Sequence, residues 1–292
     1  MSIPGKRVLT SEQMAGYEDL GFVHSVPILT PQEVRYYRDH VEKTWSALGG
    51  RITRADGLHL FFRWAWDLVT HPRLLDCLED LLGPVILLRH TRIFYKYAES
   101  AAWVGWHQDG NTEHLSDAQV PTIWLGLTNA RVENGCLRVV PRSHRLGMLS
   151  HRSRQTHHDL ASSSINGSAP GSVVGEDHDP SVEPARFAEG LDAPFDVIME
   201  AGEMSFHHPL ALHGSYPNAS AEPRIGLSAT YSTPELHRNG APVALVRGSV
   251  GLQSSFPLSG KPADLPLEEA VTAYRASGRQ LLYASIETRV SM

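Results

Sequence analysis

Over residues 1–84 the apolar positions recur mostly at helical spacing. Thr30-Pro31-Gln32-Glu33 combines a capping-box pair with Pro at the first helical position. Val34, Tyr37, Val41, Trp45 and Leu48 follow as one stripe until Gly49-Gly50 stops the helix. A second helix is expected near Arg73 to Leu82, where Leu74, Leu75, Leu78, Leu81 and Leu82 recur before Gly83-Pro84. Between the two helices, Leu60-Phe61-Phe62-Arg63-Trp64-Ala65-Trp66 is an aromatic cluster. It suits core packing or, alternatively, the wall of a pocket.

From Val85 the pattern changes to short runs rich in Val, Ile, Leu, Thr and aromatics. Val85 to Tyr97, Thr122 to Thr128, Leu137 to Val140, Phe195 to Met199, Glu203 to His208 and Ile225 to Tyr231 read as strands punctuated by Gly, Pro or Asn. Short strands without intervening helices predict an antiparallel sandwich or barrel. The segment from about 150 to 192 has few large apolar residues and several Ser and Gly, which predicts a long surface loop acting as a lid. Helical spacing returns from Leu265 to Ile286.

The chain has 292 residues, enough for one large domain or two small ones. Its 26 Lys and Arg against 32 Asp and Glu leave a charge of −6 without a basic block, which argues against nucleic acid or an anionic membrane as partner. The N-terminus lacks the apolar run of a secretory signal, and no stretch approaches the about 18 apolar residues of a membrane span, so a cytoplasmic location is expected. Two cysteines exclude a disulfide scaffold and a Cys-based zinc or iron–sulfur site. Sixteen histidines, by contrast, invite a search for a metal site built from oxygen and nitrogen donors.

A bare His-x-Asp is weak evidence, and two occur. His107-Gln108-Asp109 follows the extended Ala101 to Trp106, where period-two alternation aims His107 and Asp109 to the same side. His157-His158-Asp159 lies in the Ser- and His-rich loop and reads as solvated surface. A third donor must come from a distant strand. His213, at the end of an apolar run and before Gly214, is the best placed, and Arg224 opens the next strand-like run.

Taken together, four stretches resemble successive signatures of the phytanoyl-CoA dioxygenase family of iron(II)- and 2-oxoglutarate-dependent oxygenases. They are Trp106 to Asp109, Glu133 to His144, His208 to Asn218 and Arg224 to Leu227, with weaker likeness at His59 to Trp64 and Leu82 to Pro84. The resemblance covers about residues 10–235. It departs at Arg142, where the family has Gly in a Pro-Gly-Ser-His turn.

The resemblance implies a mostly β fold with flanking helices. Its core would be a double-stranded β-helix of jelly-roll or cupin type over 85–235, after a mainly helical region over 1–84 and before a C-terminal extension with a helix over 236–292, all in a single oxygenase domain. It implies iron(II), 2-oxoglutarate and O2 as cofactors and cosubstrates. His107, Asp109 and His213 match the metal triad, whose one-face arrangement leaves positions open for a 2-oxo acid and dioxygen. Arg224 matches the residue that pairs with the distal carboxylate of 2-oxoglutarate. Trp124 and Thr122 align beside the cosubstrate, with Ser215 and Gln108 as supporting donors. The implied reaction decarboxylates 2-oxoglutarate to succinate while a C–H of a small metabolite is oxidised. Asp109 disfavours halogenation, which in this wider group goes with loss of the carboxylate.

Lys96 is placed to pair with an anionic group of substrate or cosubstrate, or to be solvated, and His59, Phe62 and Trp64 are substrate-pocket candidates. Of His207 and His208, adjacent on one strand, at most one faces His213, and both read as packing or supporting groups. Two other readings stand beside the hydroxylase. One is a metal-dependent hydrolase or isomerase on the same triad, and the other a non-catalytic relative.

Overall fold

The computed structural model describes residues 7–111, 121–149, 190–236, 242–250, 256–279 and 281–283. The expected lid lies outside these except for 190–192, as does His157-His158-Asp159. In chain order the elements are α1 (Ser11–Leu20), β1 (Phe22–Pro27), α2 (Pro31–Ala47), β2 (Ile52–Asp56), α3 (Arg63–Val69), α4 (Pro72–Leu82), β3 (Ile86–Lys96), β4 (Val104–His107) and β5 (Thr122–Gly126). They continue with β6 (Leu137–Val139), β7 (Phe195–Val197), β8 (Glu203–His207), β9 (His213–Ser215), β10 (Arg224–Ser232), β11 (Val243–Arg247), β12 (Leu258–Ser259), α5 (Leu267–Ala276) and β13 (Leu281–Tyr283).

The strands β3 to β10 build the double-stranded β-helix. In the larger sheet the order runs β8-β5-β10-β3, and in the smaller sheet β4-β9-β6-β7. The chain therefore crosses between sheets at nearly every connection, and the two sheets face each other without closing into a barrel. Around this core the larger sheet grows to nine strands: β1 pairs with β8, while β2 and β11 pair with β3.

Two expectations need correction. Residues 1–84 carry α1 to α4 and, beside them, β1 and β2, which were not among the expected strands and belong to the larger sheet. Each follows glycines with positive φ, Gly21 before β1 and Gly49-Gly50 before β2, which end the preceding helices and free the chain to extend. At the other end, α5 stops at Ala276, before Gly278 with φ +66°, and the chain then returns as β13 along β2.

Register explains why the larger sheet carries two chemistries. Residues paired across antiparallel strands share a face. Ile225, Leu227 and Ala229 of β10 pair with Tyr95, Ile93 and Thr91 of β3, and Ile123 and Leu125 of β5 pair with Phe206 and Met204 of β8. That outer face buries its apolar residues against α2, α3 and α4 in the main hydrophobic cluster. Val34, Val41 and Trp45 of the α2 stripe meet it there, each burial contributing about 1.5–3 kcal/mol. The alternate residues face the smaller sheet: Arg224, Gly226 and Ser228 of β10 beside Lys96, Phe94 and Arg92 of β3. A polar cavity thus lies between the sheets, backed by an apolar core.

Among the described residues no helix is long and apolar enough to cross a membrane.

Candidate metal centre

His107 closes β4 and Asp109 begins the turn after it, while His213 opens β9 directly opposite His107 in the register. The His107 and His213 ring centroids are 4.0 Å apart. One donor atom from each of His107, Asp109 and His213 lies within 4.8 Å of the others. The Nε2 atoms of His107 and His213 stand 3.6 and 3.8 Å from Asp109 Oδ1.

Both rings are oriented by backbone. His107 Nδ1 lies 2.9 Å from the Gly105 carbonyl and His213 Nδ1 2.9 Å from the Ala211 carbonyl. A carbonyl only accepts, so each Nδ1 donates, the tautomer that leaves Nε2 of each ring facing Asp109 as the ligand atom. Burial, then the neighbouring His107 and His207, hold His213 well below the usual imidazole range, which keeps it neutral as a ligand must be. Two such ring nitrogens and one carboxylate fit a divalent iron and leave other positions open.

His207 takes the supporting role expected of one of the two adjacent histidines. Its Nε2 lies 3.2 Å from Asp109 Oδ2, the oxygen turned away from the other two rings, and donates to it. His208, on the opposite face, instead lies 4.9 Å from the ring of His144 and accepts from the Leu210 amide. The alternation of β8 thus sends one histidine to the metal centre and its neighbour into packing.

One cavity joins these groups to Thr122, Trp124, Ser215 and Arg224. Arg224 is 4% exposed, and its Nε has no partner although it is buried. Its guanidinium sits 5.1 Å from the Trp124 ring. Burial pushes Arg224 down to about 10, so it stays charged at neutral pH. A buried guanidinium with an orphaned donor is a site for a carboxylate.

Lys96, paired with Arg224 in the register, is fully buried rather than solvated. Its Nζ donates to Ser215 Oγ at 2.7 Å and to the Tyr216 carbonyl. With Lys96 as the donor of that bond, Ser215 has its own hydrogen left for an acceptor in the cavity. Thr122 Oγ1 is likewise buried without a partner on the cavity wall.

Other sequence candidates lie elsewhere. Gln108 is 1% exposed and turned from the cavity; its Nε2 donates to the Gly147 and Leu210 carbonyls and its Oε1 accepts from the Leu149 amide. With those atoms so engaged it ties the loops around the triad together instead of contacting a cosubstrate. Phe62 and Trp64 are buried in the main hydrophobic cluster, Trp64 stacked on His40, and His59 bonds Thr91 Oγ1 at 2.7 Å. None of the three is among the residues lining this cavity. The sequence reading missed Arg92, Phe94 and Ser228, which do line it. Counting back in twos from Lys96 and forward in twos from Arg224 would have found them.

Arg142 adopts φ +61°, the left-handed conformation that glycine takes at little cost, so the departure preserves the turn. Its guanidinium bridges Asp19 and Asp192 at 2.7 and 3.0 Å.

The family described as "Phytanoyl-CoA dioxygenase (PhyH)" matches residues 17–226. A probable alpha-ketoglutarate-dependent hypophosphite dioxygenase of Stutzerimonas stutzeri is 27% identical, covering 74% of this chain and 67% of the relative. A methylphosphonate hydroxylase of Gimesia maris is 26% identical over 77% and 81%. Among solved structures, the apo form of the non-heme monooxygenase ThoJ superposes with a TM-score of 0.68 at 26% identity, covering 90% of this chain and 93% of that one.

Proposed function

The chain belongs to the phytanoyl-CoA dioxygenase family, and from that premise we propose that it hydroxylates an unactivated C–H of a small molecule while 2-oxoglutarate is decarboxylated to succinate and CO2. Its cofactors are iron(II) and 2-oxoglutarate. His107, Asp109 and His213 would hold the metal, which supplies the activation of dioxygen when bound. Arg224 would take the distal carboxylate of 2-oxoglutarate in the fork geometry that only a guanidinium offers. Ser215, with its oxygen occupied by Lys96, would donate its hydrogen to the same cosubstrate. Trp124 would shape the slot between them.

The observation that carries this reading is the joint presence, in one cavity, of the triad and the orphaned guanidinium. A hydrolase or isomerase on the same triad has no use for a carboxylate clamp beside the metal. The retained Asp109 supports hydroxylation over halogenation. The relatives' small substrates support a small molecule here also.

The test is anaerobic addition of iron(II) and 2-oxoglutarate to apo-protein. A visible charge-transfer band is expected, lost in His213→Ala. Arg224→Met should weaken 2-oxoglutarate by at least about 30-fold, the low end for removing one partner of a buried charge pair, with iron retained. Absence of the band in the wild type overturns the proposal.

A further inference from the structure

The inner face of the larger sheet carries a second cationic pole that the metal, Arg224 and Lys96 do not use. Ser228 of β10 pairs with Arg92 of β3, and Asp56 of β2 lies on the other side of Arg92. Both Asp56 oxygens are shared by two guanidiniums. Arg54 reaches them through Nε and Nη2 at 3.1 and 3.2 Å, and Arg92 through Nε and Nη2 at 3.0 and 3.3 Å. His90, whose Nε2 lies 3.7 Å from Asp56, is pushed down to about 4 by burial and then by Arg92, so it adds no charge at neutral pH. Two guanidiniums thus share the one carboxylate of Asp56.

Of the two arginines, Arg54 is 3% exposed, whereas the Arg92 side chain keeps 30% of its surface and lines the same cavity as the triad. Only two of its five N–H donors are bonded to Asp56, and the rest have no acceptor among the described residues. A guanidinium with unbonded donors on a cavity wall is a ready partner for an anionic group.

The pole lies beyond the reach of 2-oxoglutarate held at Arg224. Ser228 lies four positions after Arg224 along β10, about 14 Å at 3.4 Å per residue. A five-carbon chain extends only about 5–6 Å at about 1.5 Å per bond. Phe94 and Trp124 wall the stretch between, opposite Gly226.

Resting on the function proposed above, we propose that Arg92, backed by Arg54 and Asp56, is the substrate-anchoring residue, and that the substrate is a small organic anion, a carboxylate or a phosphonate. Its anionic end is bound by the Arg92 guanidinium, and its C–H is presented toward the triad across the apolar surface of Phe94 and Leu137.

The test uses the anaerobic protein loaded with iron(II) and 2-oxoglutarate, titrated calorimetrically with methylphosphonate and with L-proline, and with dimethyl methylphosphonate and L-prolinamide as controls lacking the anion. Saturable binding of at least one anion is expected, at least 10-fold tighter than its control, and which of the two binds distinguishes phosphonate from carboxylate. Arg92→Met should weaken that binding at least 10-fold and leave the 2-oxoglutarate titration of the charge-transfer band within two-fold. Arg92→Lys, which keeps the charge and guards against a folding defect in the Met variant, should lose at least three-fold. Failure of both anions to bind the wild type, equal binding of the controls, or full anion affinity in both variants overturns the proposal. The band reports on the underlying reading separately: a wild type with the band but without anion binding defeats only the anchor.

Discussion

Trp124 has no freedom on the β10 side. A Cβ built at Gly226 would lie 2.3 Å from Trp124 Cζ2, 2.5 Å from Cε2 and 2.9 Å from Nε1. Taking 3.4 Å as the onset of ordinary contact, Gly226→Ala forces the indole back by about 1.1 Å. A Cβ at Gly126 would likewise lie 3.3 Å from Cζ3, so the indole packs against side-chain-free backbone on both neighbouring positions. The ring is left to move toward Arg224, whose guanidinium it faces at 5.1 Å, and into the slot assigned to the cosubstrate. Overpacking of this size costs about 1–3 kcal/mol, which at about 1.4 kcal/mol per decade is a 5- to 150-fold loss of 2-oxoglutarate affinity. The assay is the charge-transfer titration, with iron content and Tm measured in parallel. Iron should be retained, and adding Trp124→Leu should recover part of the loss. Unchanged 2-oxoglutarate affinity in Gly226→Ala, whether or not Tm falls, would mean that the ring yields into the core and does not border the cosubstrate.

Gln108→Leu should destabilise the apo-protein by about 2–3 kcal/mol, because it strands two carbonyls and one amide around the triad. Thermal denaturation should show a Tm drop of several degrees, and an unchanged Tm would contradict the bracing role. His59 is pushed down to about 3, by burial first and then by His90 and Arg279. Its ordinary value near 6.5 returns on unfolding, so the unfolded chain binds the extra proton and stability is lost as pH falls below about 6.5. By pH 5 this one group removes about 2 kcal/mol, at 1.36 kcal/mol per pH unit. Denaturant unfolding of wild type and His59→Gln at pH 7 and pH 5 should therefore show a shallower acid loss in the variant.

What could be read from the chain was what has a local cause. The capping box at Thr30, the apolar stripe behind it and the β-type runs of the core each reappear within a residue or two of the expected bounds. His107 and His213 were identifiable because the motif order placed them at strand ends, and the register sets them opposite each other. β1, β2 and β13 were not legible as sheet strands, since their partners lie far away in sequence and nothing local marks an edge position. For the same reason His59, Phe62 and Trp64 looked like a pocket: their aromatic density is equally what the helical layer needs to cover the sheet. Arg92 escaped notice because its role depends on Asp56, which approaches it only through the pairing of β2 with β3.

The two-faced larger sheet has a consequence for how this protein can change. Along β3, β5, β8 and β10, odd and even positions answer to different demands, one set to the cavity and the other to the core. A substitution confined to the cavity set, at Phe94 or Ser228 for example, can alter what is bound without touching the layer that keeps the chain folded. Variation restricted to that parity is thus a compact library for new substrates, whereas an insertion of one residue in any of these strands would exchange the two roles at a stroke.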